Sequence, residues 1–378
     1  MISRRHFALG CAAIGLAGCG VRAPLAQVSG APAGLPDDLL PSPNGAYDTW
    51  VASFQPRARS AGISDTTLRE AFRGTGFLSG VVRRDGSQVE LRRSLEDYLA
   101  IAVSEERITK GRAARARHSG VLAQVEARYG VDANIVTAIW GLESFYGERR
   151  GDVPVVSATS TLAFEGRRGA FFERQLLAAL QIVQNGDISA ANMTGSWAGA
   201  MGHTQFIPTS YQEYAVDFTG DGRRDIWSED PSDSLASTAA YLSRNGWVSG
   251  LSWGREATAG DGGTLQPQAG GPSFAVTRNF NAIKRYNNSD SYALGVGLLA
   301  DRIGGAGPLR GSFPPDANGM TKADRVALQN GLTRLGFDTQ GADGVIGPNT
   351  QAALRAYQTS RGLAVTGEPS LEVLRGLR

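Results

Sequence analysis

Both cysteines of the chain, Cys11 and Cys19, lie in its first 20 residues. Beyond them no disulfide and no thiolate zinc site can form, so whatever folds there must be held by a hydrophobic core. At 378 residues, 42% of them hydrophobic, the chain is long enough for such a core and for more than one domain. Histidine is just as scarce, with His6, His118 and His203 only. A site built from several His ligands is excluded, and a Ser-His-Asp triad has two candidates outside the leading segment. If the chain is an enzyme, carboxylates are the expected catalysts. A net charge of +2, from 38 Lys plus Arg against 36 Asp plus Glu, argues against a nucleic-acid partner bound by electrostatics.

Residues 1–19 carry Arg4 and Arg5 and then an apolar run of eleven residues, Phe7 to Ala17. That run is too short for a permanent membrane span and reads as an export signal. Ser3-Arg4-Arg5-His6-Phe7 resembles a twin-arginine signal. Leu16-Ala17-Gly18-Cys19 resembles a lipobox, so Cys19 is the expected lipidation site and the expected membrane anchor. Gly20 after the cysteine fits lipoproteins sorted to an outer membrane, facing the periplasm.

Residues 20–45, rich in Pro, Gly, Ala and Ser, read as a tether. From Tyr47 to Ile303 the pattern is mainly helical. Trp50, Phe54 and Ala58 share one stripe; Leu91, Leu95 and Tyr98 share another, and Leu176, Leu180 and Val183 a third. All six tryptophans fall in this stretch. Residues 254–273 are Gly-rich and read as a surface loop, and 304–320 have linker composition. The expected division is therefore 46–303 as the main domain, 304–320 as a linker and 321–378 as a small terminal domain. In the last, Leu328, Leu332 and Leu335 make one helical stripe. Ala353, Leu354 and Tyr357 make a second behind Pro348, and Leu371, Leu374 and Leu377 a third. Three short helices without His or Cys, their acids scattered, suit a binding module better than a catalyst.

Asp132 can cap a helix running to Glu143, with Gly147 as its stop. Val136, Trp140 and Glu143 fall on one face. The helix C-terminus and the Trp140 wall both disfavour an ionised carboxylate, so Glu143 is expected to have a raised pKa, as a general acid needs. A second segment, SWAGAMGHTQFIPTSY (196–211), combines small residues that allow close backbone approach with Ser196, Gln205, Trp197, Phe206 and Tyr211. Such mixtures of amides and aromatic faces bind sugars, and the same small residues can also serve tight packing.

These segments carry a family resemblance. WGLESFYG (140–147) followed by SWAGAMGHTQFIPTSY is similar to the lytic murein transglycosylases of the membrane-bound B type, and the similarity extends over about residues 46–303. It takes in Arg167-Arg168, Tyr241, and Tyr286-Asn287. The segment ADGVIGPNTQAALRAYQ (342–358) resembles a peptidoglycan-binding module. The resemblance implies a lysozyme-like, mainly α catalytic domain followed by a small three-helix binding domain. It implies cleavage of the MurNAc–GlcNAc β-1,4 bond of peptidoglycan glycan strands with 1,6-anhydro-MurNAc ends. Glu143 would be the single general acid/base, with no cofactor required. Ser196, Gln205, Phe206, Tyr241, Tyr286 and Asn287 match positions lining the cleft, and Arg167 and Arg168 positions suited to substrate carboxylates. Cell-wall synthesis or lysis machinery would be the protein partner. The alternatives are a hydrolytic muramidase and a non-catalytic wall-binding scaffold.

Asp217, Thr219 and Asp221 stand at positions 1, 3 and 5 of a loop resembling the start of an EF-hand, with Gly222 at 6 and the Arg223 carbonyl at 7. Position 12 is Ser228, not Glu, and Asp233 could close the site. A calcium ion held there would be structural; the same residues also make a metal-free Asp/Gly turn.

Overall fold

The computed structural model describes residues 34–86, 93–258, 260–262 and 264–377. The signal-like segment with Cys19, most of the tether, and Leu91 lie outside the described residues. Sixteen α-helices run in chain order among them. The first six are α1 (Gly45–Ser60), α2 (Asp65–Ala71), α3 (Ser79–Gly86), α4 (Leu95–Ala102), α5 (Glu105–Arg117) and α6 (Ser119–Tyr129). Then come α7 (Ala133–Ser144), α8 (Val155–Glu165), α9 (Gly169–Gln184), α10 (Pro208–Tyr214) and α11 (Ser232–Arg244). The last are α12 (Arg278–Tyr286), α13 (Asp290–Ile303), α14 (Lys322–Arg334), α15 (Pro348–Ser360) and α16 (Leu371–Gly376). Strands are confined to two short antiparallel pairs: β1 (Val153–Pro154) with β2 (Thr194–Gly195), and β3 (Gly254–Glu256) with β4 (Phe274–Val276). No helix of the described residues is long and apolar enough to cross a membrane.

The chain falls into two compact units. Among the described residues, one contains those from 34 to 86 and Arg107–Leu251; the other contains those from 93 to Glu106 and from Ser252 onward. The partition cuts through the segment whose sequence reads as one domain, because α4 and α12–α13 pack together and keep company with the C-terminal helices.

In the first unit α7 is the central helix. Its side chains from Ile135 to Leu142 are all buried. A helix apolar all round can only be satisfied from every side, and α6 and α11 pack against it. Asp132 caps it, accepting from the Asn134 and Ile135 amides at 2.7 and 3.3 Å. The helix α8, buried from Val155 to Ala163, packs on α9, α3 and α1. The expected α1 stripe holds at Phe54 and Ala58, both fully buried, while Trp50 stays half-buried and stacks on Phe54 at 5.4 Å.

In the second unit, the Gly-rich segment is a loop with paired ends: Gly254–Glu256 register against Phe274–Val276. The 304–320 segment is pinned, since Glu256 accepts the amides of Arg310 and Gly311 at 3.0 and 2.6 Å. The terminal helices α14, α15 and α16 enclose one apolar centre of Met320, Leu328, Leu332, Ala353, Leu354, Tyr357, Val373, Leu374 and Leu377. Pro348 opens α15 in its first turn. Leu335 and Leu371 leave the expected stripes; they are 41% and 39% exposed. Leu335 is the C-cap of α14 and Leu371 the first residue of α16, where a side chain has not yet turned, or no longer turns, with the helix.

Candidate active site

Glu143 sits in the last turn of α7, half-buried between the buried Leu142 and Ser144. The helix does not run on to Gly147. It stops at Ser144, and Phe145 and Tyr146 both take left-handed backbone angles (φ 53° and 62°) before Gly147 (φ 89°). Two consecutive non-glycine residues in that region cost about 1–2 kcal/mol each, so the surroundings must hold the turn. Tyr146 donates its hydroxyl to the Arg107 carbonyl at 2.7 Å, and burial pushes its pKa well above the phenol range. Its ring fills the space beside Gly141, where an added Cβ would come within 2.5 Å of it. Phe145 is covered by three cations, Arg107, Lys110 and Arg149, at 5.0, 4.5 and 4.5 Å from the ring centre.

Arg107, only 8% exposed, donates from Nε to the Gly141 carbonyl at 3.1 Å. A cation therefore stands at the C-terminus of α7 and offsets the negative end of the helix dipole. The field around Glu143 differs from the bare helix end expected from the sequence, because the neutralising charge comes from Arg107, 34 positions before the Gly141 carbonyl that it holds.

The second half of the site is His203. The Trp140 indole donates to its Nδ1 at 3.1 Å. Its Nε2 lies 2.7 Å from the Ser228 carbonyl, and its own carbonyl accepts from the Ser144 hydroxyl at 2.5 Å. Ser144 also accepts the Gly147 amide at 3.0 Å. Burial holds the His203 pKa below its usual value; the Ser228 hydrogen bond works the other way and the Arg150 charge adds to the lowering. On the same indole, His118 packs edge to face at 5.3 Å and Tyr146 at 5.8 Å.

The segment 195–206 folds into tight turns bridged at Gly195 to Met201 and at Met201 to Phe206. Its small residues are spent on the protein itself. A Cβ on Gly195 would meet the Ala200 carbonyl at 2.2 Å, and one on Gly202 the Ile226 carbonyl at 2.1 Å. Ser196 accepts the Ala200 amide at 3.1 Å. Gln205, in a left-handed conformation (φ 52°), donates to the Arg150 and Gly202 carbonyls at 2.9 and 2.8 Å. Both side chains are half-buried. Phe206 and Tyr241, read from the sequence as cleft residues, are 2% and 3% exposed and face each other at 6.1 Å. Their rings are core, with no open face for a sugar. The same holds for Tyr211, which is fully buried and donates to the Arg224 carbonyl.

Arg167 and Arg168 are likewise already engaged. They donate to the two oxygens of Asp85, each at 2.6 Å, and Asp85 is 3% exposed. Burial alone would raise that carboxylate's pKa, but the two guanidiniums hold it below its usual range. The arginine pair thus neutralises a buried acid of α3, while the Arg167 side chain stays 52% exposed. In the other unit Tyr286 ends α12 and stacks on Tyr292 at 6.4 Å, with Asn287 as the C-cap; both Tyr286 and Asn287 are half-buried.

In the acidic loop Asp217 accepts the amides of Gly220, Asp221 and Gly222. Asp233 accepts those of Phe218, Thr219 and Asp225, and Asp221 that of Arg223. Burial raises the Asp233 pKa against the pull of those amides, and the charge of Asp217 adds to the rise. Among the described residues no three His, Cys, Asp or Glu side chains are grouped to share a metal ion. The oxygen donors are of the kind calcium takes, but Asp217 would have to exchange amide partners for it.

Glu143 at the end of a buried helix, in a turn braced by a second segment of tight turns, belongs to a lysozyme-like, mainly helical protein, here followed by a three-helix module. The comparisons with known proteins agree. The family description Transglycosylase SLT domain matches residues 46–268 and 258–301, and Putative peptidoglycan binding domain matches 321–377. The chain belongs to the SLT transglycosylase family. It is 42% identical to Pseudomonas aeruginosa SltB3, solved in complex with NAG-anhNAM-pentapeptide, over 89% of this chain and 100% of that one, with a TM-score of 0.69. It is 25% identical to Escherichia coli Slt35, solved in complex with calcium, over 69% of this chain and 93% of that one, with a TM-score of 0.59. Membrane-bound lytic murein transglycosylase B of Escherichia coli K12 is 41% identical over 123 residues, which are 32% of this chain and 34% of that protein's length.

Proposed function

We propose that the chain is a peptidoglycan lytic transglycosylase in which Glu143 is the single general acid/base. The observation that carries this reading is the bracing of the Glu143 turn from both sides, by Arg107 on Gly141 and by His203 on Trp140 and Ser144. So much strained backbone around one carboxylic acid is what a functional position looks like. Protonated Glu143 gives its proton to the glycosidic oxygen as the bond to MurNAc C1 breaks. The carboxylate then takes the proton of the C6 hydroxyl of the same MurNAc, whose oxygen attacks C1 and closes the 1,6-anhydro ring. The nucleophile belongs to the substrate and has a large effective molarity, so no second carboxylate is needed to activate water. Ser196 and Gln205 are the residues of this unit that we assign to substrate contact. The relative solved with NAG-anhNAM-pentapeptide supports the assignment of an anhydro product.

The decisive experiment is digestion of peptidoglycan with wild type and Glu143→Gln, with products read by mass spectrometry. Anhydro-MurNAc ends are expected from wild type, with a loss of at least about a hundredfold in the variant. Reducing MurNAc ends instead would make the protein a hydrolytic muramidase, and undiminished lysis by the variant would remove Glu143 from the mechanism. We assign glycan strands to the 321–377 module, a lipid anchor in the outer membrane to Cys19, and a structural calcium ion to the 217–233 loop. Asp217, Thr219, Asp221, the Arg223 carbonyl and Asp233 would hold that ion, which would relieve the repulsion between Asp217 and Asp233. It plays no part in the chemistry.

A further inference from the structure

We propose that His203 is a positioning residue for Glu143 and a pH-sensitive one. As the neutral Nε2–H tautomer it holds the turn that carries the acid, and its protonation lets that turn go. The inference rests on the reading of Glu143 as the acid.

The tautomer follows from the donors around the ring. An indole nitrogen can only donate, so the 3.1 Å contact from Trp140 requires an unprotonated Nδ1. The proton then sits on Nε2, where the Ser228 carbonyl accepts it at 2.7 Å. The Arg150 Nη1 lies 3.2 Å from the same nitrogen, but both are donors. Arg150 spends its hydrogens on the carbonyls of Trp227 and Ser228, at 3.1 and 2.9 Å, and on the Glu229 carboxylate. A second ring proton would face the Trp140 N–H head on, so the protonated form cannot make this bond.

What the ring holds is the acid's own turn. Trp140 is three residues before Glu143, on the same face of α7. Ser144, directly after Glu143, is tied to the His203 backbone. Gly147, which closes the turn, has no room for a Cβ because the His203 ring is 2.6 Å from where it would stand. The charged and titratable groups around the ring are Arg150, which opposes its protonation, Glu229 and Asp225, which favour it, and His118 across the Trp140 indole.

The consequence can be read in kinetics. A mechanism that starts from protonated Glu143 loses rate as pH rises, so Glu143 gives the alkaline limb of the kcat profile. An acid limb must come from another group, and His203 supplies it. The test uses the full chain with 15N-labelled histidine and soluble glycan fragments as substrate, from about pH 8 down to about pH 4, since burial moves the His203 titration below the usual histidine range. His6→Gln and His118→Gln assign the three ring spectra. The expected result is the Nε2–H pattern for His203 at neutral pH and an acid limb of kcat that follows its titration. In His203→Asn, which keeps an acceptor for Trp140 but cannot titrate, the limb should vanish with KM little changed. A misplacement of the acid by a fraction of an ångström should cost kcat about tenfold to a hundredfold. An Nδ1–H pattern, or an acid limb that ignores the His203 titration, would overturn the proposal; both are read in wild type, whether or not the variant folds. An acid limb retained by folded His203→Asn, or an effect confined to KM, would also overturn it. Activity surviving in Glu143→Gln would instead count against the functional reading, because the tautomer is measured independently.

Discussion

Replacing Arg325 by Met should loosen the terminal module from α4. The Arg325 side chain is 4% exposed and bonds to Glu96 at 2.6 Å, Asp316 at 3.0 Å and Asp97 at 3.4 Å. It also donates to the carbonyls of Gly344 at 2.6 Å and Met320 at 3.2 Å. The three acids are not equal. Glu96 is 12% exposed, whereas Asp97 and Asp316 are 31% and 29% exposed and keep much of their water. Only Glu96 would be left as a buried unpaired charge, which costs about 3–5 kcal/mol. Each half-hydrated pair is worth ~1 kcal/mol or less, and each carbonyl that loses its donor costs ~1 kcal/mol. Methionine restores part of the packing of the arginine stem. The net should be at least ~5 kcal/mol. At ~2–4 °C per kcal/mol this is a fall in Tm of at least ~10 °C for the unit concerned. Calorimetry on the purified chain measures it. Trypsin cleavage after Arg310, whose amide Glu256 now holds, should quicken as the module detaches. Adding Glu96→Gln to the variant should return at least ~1 kcal/mol, because the stranded charge is gone. A melting curve within ~1 °C of wild type, with cleavage unchanged, would refute the reasoning.

Gly202→Ala forces a left-handed alanine (φ 68°) and sets its Cβ 2.1 Å from the Ile226 carbonyl, which also accepts the His203 amide. A loss of ~2–5 kcal/mol is expected by denaturant titration, and a loss below ~1 kcal/mol would show that the turn can relax. Because the folded pKa of His203 lies below its unfolded value of about 6.5, its neutral form contributes stability that is complete above that pH. That contribution is lost as pH falls toward the folded value. Comparing wild type with His203→Asn by thermal melts across this window should show a steeper slope in wild type, because His118, also held below its usual value by burial, contributes to both. Calcium at about a hundredfold excess over its dissociation constant should stabilise the chain by ~2.7 kcal/mol relative to chelator, and Asp217→Asn should abolish the gain; identical melts would remove the ion. Deleting residues 321–378 should weaken sedimentation with sacculi while sparing cleavage of soluble fragments, and equal pull-down would contradict the binding role.

Short-range information fixed what lies along the chain. Asp132 as the cap of α7, Pro348 at the start of α15, and the buried Leu328, Leu332, Ala353, Leu354, Tyr357, Leu374 and Leu377 follow from periodicity and cap chemistry. Glu143 stood out through its motif. Partners did not, because a charged or aromatic side chain looks the same in sequence whether it meets substrate or protein. Packing between distant segments gave Arg167 and Arg168 to Asp85, more than 80 residues away. It buried Phe206 and Tyr241, and it set Arg107 on the end of α7. It also let Phe145 and Tyr146 enter the left-handed turn ahead of Gly147, since the cations over Phe145 and the gap at Gly141 compensate the backbone strain. The sequence determined helix stripes and caps, and its motif singled out Glu143. The tertiary structure decided which residues hold that acid in place, because a hydrogen bond or ion pair is chosen by what folding brings within about 3 Å, and spacing along the chain carries no record of that.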